Sequence, residues 1–147
     1  MPKDRLAIIR PNNRMSTLKT PTVDSTEFVS KDELLDSVRT SSVPTIVTTF
    51  DFNDPTVVFA NEAHAKLTGY TASEIIGKNP RLFQGQQTDR TVVSNLKRGL
   101  HSYDSWEGTI LNYTKTGQPY AVFLLIFGVS TREGERFYVA VKQKKVE

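Results

Sequence analysis

From Pro44 to Lys142 the chain reads as two short β-rich runs, short helical pieces, one longer helix and three further β-rich runs. This order constrains the fold more than any other feature. Thr45-Ile46-Val47-Thr48-Thr49-Phe50 and Thr56-Val57-Val58-Phe59-Ala60 are rich in β-branched and aromatic residues, which favour a pleated surface. Between them Asp51-Phe52-Asn53-Asp54-Pro55 is turn chemistry, so the pair reads as a hairpin. Helical pieces follow from Asn61 to Leu67 and from Thr71 to Ile76, closed by Gly69 and Gly77, residues that enter left-handed backbone without steric cost. Thr71-Ala72-Ser73-Glu74 is a capping box. Asp89 to Leu100 sets Val92, Val93, Leu96 and Leu100 on one side, as an amphipathic helix does. Trp106–Thr114, Tyr120–Val129 and Arg136–Lys142 then read as antiparallel strands, with turns at Lys115-Thr116-Gly117 and Thr131-Arg132-Glu133-Gly134. The class is α+β.

Upstream, Ser30 has Glu33 three residues on, a second capping box, and Leu34, Leu35 and Val38 form a narrow apolar stripe. Residues 26–43 are therefore expected to hold a short flanking helix, and residues 44–147 one domain. Residues 1–25 contain Pro2, Pro11 and Pro21 without sustained periodicity and read as a flexible basic leader. Residues 1–24 hold the whole net charge of +3. Charges spread over such a length make no dense patch, so nucleic-acid binding is not expected.

The chain has no cysteine, which excludes a disulfide framework, a thiolate metal site and a cysteine nucleophile. His64 and His101 lack ligand-like spacing, and no metal is expected. No matched nucleophile or paired acid and base marks an enzyme. No apolar run approaches the ~18 residues that cross a bilayer, and no secretory apolar core opens the chain, so an intracellular, cytoplasmic protein is expected.

Val58-Phe59-Ala60-Asn61-Glu62-Ala63, Leu67-Thr68-Gly69-Tyr70 and Glu74-Ile75-Ile76-Gly77 resemble the opening of PAS domains. Gly77-Lys78-Asn79-Pro80-Arg81-Leu82-Phe83-Gln84-Gly85 is similar to the flavin-binding signature of their light-oxygen-voltage (LOV) subfamily. Thr88-Asp89 and Leu111-Asn112-Tyr113, with Lys115 and Gly117, continue the match. The resemblance covers residues 44–142 and implies a five-stranded antiparallel sheet with short helices on one face, and flavin mononucleotide (FMN) as cofactor. Chemically, a phosphate calls for cations, a ribityl chain for amides, and a pyrimidine edge for side chains that donate and accept. The resemblance implies that Asn79 and Gln84 meet the ribityl and phosphate end, Arg81 and Lys97 the phosphate, and Asn112 the pyrimidine edge. The bland alternative for Asn79, Arg81 and Gln84 is helix capping and loop pinning.

Lys97 stands where the family usually has arginine, keeping the charge but giving up the bidentate fork, and three further positions depart more from the family pattern. Pro80 stands at the reactive cysteine, so the thiol–flavin adduct is not expected. Val122 stands where a second asparagine usually meets the ring, and supplies neither donor nor acceptor. Lys142 stands at a glutamine that reads the flavin's redox state; an ammonium only donates, and either favours an anionic reduced flavin or swings to solvent. Lys142-Gln143 leaves the register of this strand open, because a one-residue slip exchanges its faces. Two functions follow as expectations. One is a LOV-like sensory or regulatory module using non-covalent flavin and its redox state. The other is a cofactor-free PAS module that self-associates through the sheet face and the N-terminal helix. In either case the effector is a separate protein, or these residues are part of a longer one.

Overall fold

The computed structural model describes residues 28–146. The leader expected at residues 1–25 lies outside the described residues. The flanking helix, α1 (Lys31–Thr40), occupies the centre of the expected span. The Ser30 hydroxyl accepts from the Glu33 N–H at 3.0 Å, and the Glu33 carboxylate accepts from the Ser30 N–H at 2.8 Å, as the capping box requires.

The elements that follow are β1 (Thr45–Thr49), β2 (Val57–Ala60), α2 (Glu62–Thr68), α3 (Ala72–Ile75), a 3₁₀ turn (Pro80–Phe83), α4 (Arg90–Tyr103), β3 (Ser105–Tyr113), β4 (Pro119–Ser130) and β5 (Arg136–Lys144). The strands form one sheet in the order β2-β1-β5-β4-β3, with antiparallel neighbours throughout. The first two strands thus close onto the last one, and the sheet edges are β2 and β3. Gly69 and Gly77 have φ of 83° and 90°, the left-handed backbone expected of them. The long helix runs past Leu100 to Tyr103, three residues beyond its expected end, and stops at Asp104 in left-handed backbone.

Period-2 alternation divides the apolar residues between two clusters. On the inner face Ile46, Ile110, Val122, Leu124, Ile126 and Ala140 pack with Phe83 and Leu100, beneath the helices. On the outer face Val47, Phe127, Val129, Phe137 and Val139 pack against Leu34 and Val38 of α1. The sheet is therefore covered on both sides over part of its area, where the sequence led us to expect one exposed face. Asn61 joins the layers. Its amide donates to the Val38 and Val43 carbonyls at 2.9 and 2.8 Å and accepts from the Thr45 and His64 N–H groups at 3.1 and 2.9 Å.

Candidate functional site

A cavity of about 180 Å³ lies between the inner sheet face, the 3₁₀ turn and α4. Its walls are apolar, from Phe83, Leu96, Leu100, Leu124 and Ile126 among others. Arg81, Arg90 and Lys97 line it and are exposed, so they mark the end that meets solvent. Asn112 and Lys142 line it and are buried, at 4% and 3% exposure, so they mark the inner end. Among the described residues no aspartate or glutamate lines this cavity.

Pro80 sits at the first position of the 3₁₀ turn, where a missing N–H leaves no donor unpaired. It borders the cavity and presents only a ring. Asn79 caps the turn: its side-chain oxygen accepts from the Arg81 N–H at 2.8 Å, while its amide donates to Asp54 at 2.8 Å. Arg81 also pairs loosely with Asp54, at 3.9 Å. The capping reading of Asn79 thus has direct geometric support, and its side chain is engaged with the rim. Gln84 follows the turn and lines the cavity, half-buried. Gly85 stands against the Tyr113 ring, where an added Cβ would lie 2.3 Å from the ring. That close approach explains the glycine, and the Tyr113 hydroxyl accepts from the Gln87 N–H at 3.0 Å to hold the loop.

The sheet register answers the question left open at β5. Lys142 pairs with Leu124, and Ala140 with Ile126, all on the inner face. Gln143 pairs with Phe123 and is exposed. Lys142 therefore points inward and does not swing to solvent. Its Nζ lies 3.7 Å from the Phe83 ring centroid and has no hydrogen-bond partner. Burial pushes this ammonium down to about 7 from the usual lysine range, because a charge without a counter-ion is costly in an apolar site. Val122 is fully buried on the same face but lies outside the cavity lining.

Two groups escaped sequence reasoning. His64 on α2 is fully buried edge-on to Phe83, ring centroids 5.2 Å apart, and neither of its nitrogens has a partner. Burial, aided by the Lys142 charge, lowers its pKa to about 2, so its ring stays neutral. The sequence reads it as a packing or surface residue, and the fold selects packing. Arg90 at the start of α4 joins Arg81 and Lys97 at the open end, and its Nε donates to the Thr88 carbonyl at 3.2 Å. In the sequence it reads as a helix-surface residue.

Cations at the open end, apolar walls and donors within suit a flat anionic ligand that bears hydrogen-bond acceptors. At about 180 Å³ the cavity is smaller than the roughly 300–1,000 Å³ usual for such ligands.

Residues 43–143 match the family described as PAS domain. A blue-light-activated histidine kinase of Brucella anthropi is 40% identical over 110 residues, which cover 75% of this chain and 22% of that protein. Its counterpart in Brucella abortus is 36% identical over 84 residues, 57% of this chain and 17% of that protein. The chain thus spans less than a quarter of these curated relatives. Among solved structures, one described as "Flavin Analogue Sheds Light on Light-Oxygen-Voltage Domain Mechanism" superposes with a TM-score of 0.69 at 30% identity, covering 78% of this chain and 85% of the other. The LOV domain of a blue-light activated histidine kinase from Erythrobacter litoralis, at 24% identity and a TM-score of 0.65, shares the fold over 71% of this chain and 97% of its own. The ordered PAS segments, the strand order and these likenesses agree: the chain belongs to the PAS domain family, in its LOV subfamily, as a member without cysteine.

Proposed function

We propose that this sensory domain holds FMN without a covalent bond and signals through the flavin's redox state, and that these residues carry no enzymatic activity. One observation carries the reading: a cavity with no carboxylate in its lining, cations at its open end and one unmatched donor, the Lys142 amine, at its inner end. Arg81, Lys97 and Arg90 would hold the phosphate, Gln84 the ribityl chain, and Asn112 with Lys142 the pyrimidine edge. Asn79 would support them through its cap on the turn. Bound flavin supplies electron-transfer chemistry that responds to light and redox conditions. The chain's own contribution is to exclude water, neutralise the phosphate and present donors to the ring. With Pro80 at the thiol position, the flavin–cysteine bond has no partner atom. The output would pass to an effector, in a separate protein or in the remainder of a longer one, as in the histidine kinases it resembles.

FMN titration followed by flavin fluorescence tests this. Saturable binding that weakens with salt is expected, and Arg81→Ala combined with Lys97→Ala raises Kd at least about tenfold, the loss of charge-assisted contacts. Absence of saturable binding overturns the reading.

A second reading is favoured by the outer sheet face beyond α1, where Phe123 is 38% exposed beside the half-buried Leu125 and Val141. On this reading the domain is cofactor-free and self-associates through that face and α1.

A further inference from the structure

Lys142 is buried to 3% exposure, faces a cavity, and its nitrogen has no hydrogen-bond partner. Unpartnered buried donors are rare because each forfeits its hydration without return. Among the described residues no counter-ion faces it from the elements packed around it. His64 of α2 is neutral, Asn112 of β3 is uncharged, and Tyr120 of β4 is held protonated by burial, which raises its pKa to about 12. Arg81 of the 3₁₀ turn and Arg90 and Lys97 of α4 are cations. No carboxylate among the described residues lines the cavity, and Asp54, at its rim, is engaged with Asn79 and Arg81. The amine therefore has a desolvated site in which the Phe83 ring face favours the ammonium, with no counter-ion beside it among the described residues.

We propose that Lys142 is a carbonyl-condensing amine, and that the cavity takes a small aldehyde or ketone with an apolar body and an anionic tail. The Lys142 nitrogen lone pair attacks the carbonyl carbon, and a carbon–nitrogen bond forms as the carbon–oxygen π bond opens to a carbinolamine. Loss of the carbonyl oxygen with two protons, which originate on the amine nitrogen, releases one water and leaves an imine. No oxidant or reductant is consumed. Desolvation in an apolar pocket is one of the ways a lysine becomes nucleophilic. The ligand body would lie along the apolar walls, with its anion at Arg81, Arg90 and Lys97. The carbonyl ligand would occupy the cavity and the cations proposed above for flavin, so the two would exclude one another; the imine itself requires only this chain's amine and the cavity.

The physical advantage is large. With its pKa near 7, about half of Lys142 is free amine at neutral pH, whereas an ordinary exposed lysine holds less than about 0.1%. Restricted access returns part of that gain. The test incubates the full chain, freed of flavin, with pyridoxal 5′-phosphate at pH 7, an aromatic aldehyde with a phosphate tail. Borohydride reduction and peptide mass mapping then locate the secondary amine. The expected result is labelling of Lys142 at least about tenfold above Lys144 and Lys145, its exposed neighbours. That preference should vanish in denaturant. Benzaldehyde, which lacks the anion, should label Lys142 less. Lys142→Arg should remove the site while circular dichroism stays unchanged; should that variant misfold, wild-type mapping alone decides. Equal labelling of Lys142 and its neighbours, or an unmodified Lys142, overturns the proposal. Loss of FMN binding in the separate titration would leave it standing.

Discussion

Lys142 is the residue on which the site turns. An ammonium buried without a counter-ion disfavours the folded state, because the unfolded chain solvates it. Its folded pKa lies near 7 and its unfolded value near 10.5. Between those values the unfolded state binds more protons, so this group's contribution to stability rises with pH across that window. Below about 7 both states are protonated and the burial penalty is present in full. Lys142→Met should therefore be more stable than wild type at pH 7, by on the order of a few kcal/mol. The difference should shrink toward pH 10, as followed by urea unfolding at several pH values. A constant difference would mean that the amine is solvated. The identity of Lys142 was legible in the sequence, but its direction was not. Its strand alternates Tyr138 and Ala140 with Phe137, Val139 and Val141, and both sets are largely buried, one under the helices and the other partly under α1. With no polar face, period-2 reasoning had no contrast to use.

The elements themselves were the legible part. Hairpin turns, capping boxes and terminal glycines depend on local chemistry, and each hairpin and helix stands close to where that chemistry put it. What local chemistry does not encode is which element lies on which face. The stripe Leu34, Leu35 and Val38 marked a helix with one apolar side, while its docking on the outer sheet depends on contacts nearly 100 residues away, such as Arg132 with Glu33 at 3.3 Å. Asn61 is the pin between α1, β1 and α2, and in the sequence it reads only as the start of a helical piece. Asn61→Asp keeps the size and the acceptor but turns the donor into an oxygen facing the Val38 and Val43 carbonyls. We expect it to cost on the order of 3 kcal/mol, read as a lower denaturant midpoint at unchanged slope. A loss below about 1 kcal/mol would show that these carbonyls find other donors.

At the scale of the molecule, the sheet separates two surfaces with different tasks. The inner face carries the cavity, and the outer face carries α1 and the uncovered apolar strip around Phe123. If that strip is a contact between copies, sedimentation across a concentration series should show reversible dimers, and Phe123→Glu should shift the population to monomer, since a buried unpaired carboxylate is costly. A monomer at every concentration would remove the self-association reading. The family membership was legible because its signature is an ordered series of short segments, each weak alone. The cavity's polar lining was largely legible: Asn79, Arg81, Gln84, Lys97 and Asn112 were named, while Arg90 enters it only through folding. Between these surfaces, the inner one is decided by what the cavity holds and how. The direct measurement is the absorbance spectrum of the protein incubated with FMN, desalted, and recorded before and during blue illumination. Flavin should remain with the protein, and illumination should not convert it to the bleached thiol adduct. A protein that emerges colourless, or one whose flavin bleaches to an adduct and recovers in the dark, would contradict the account.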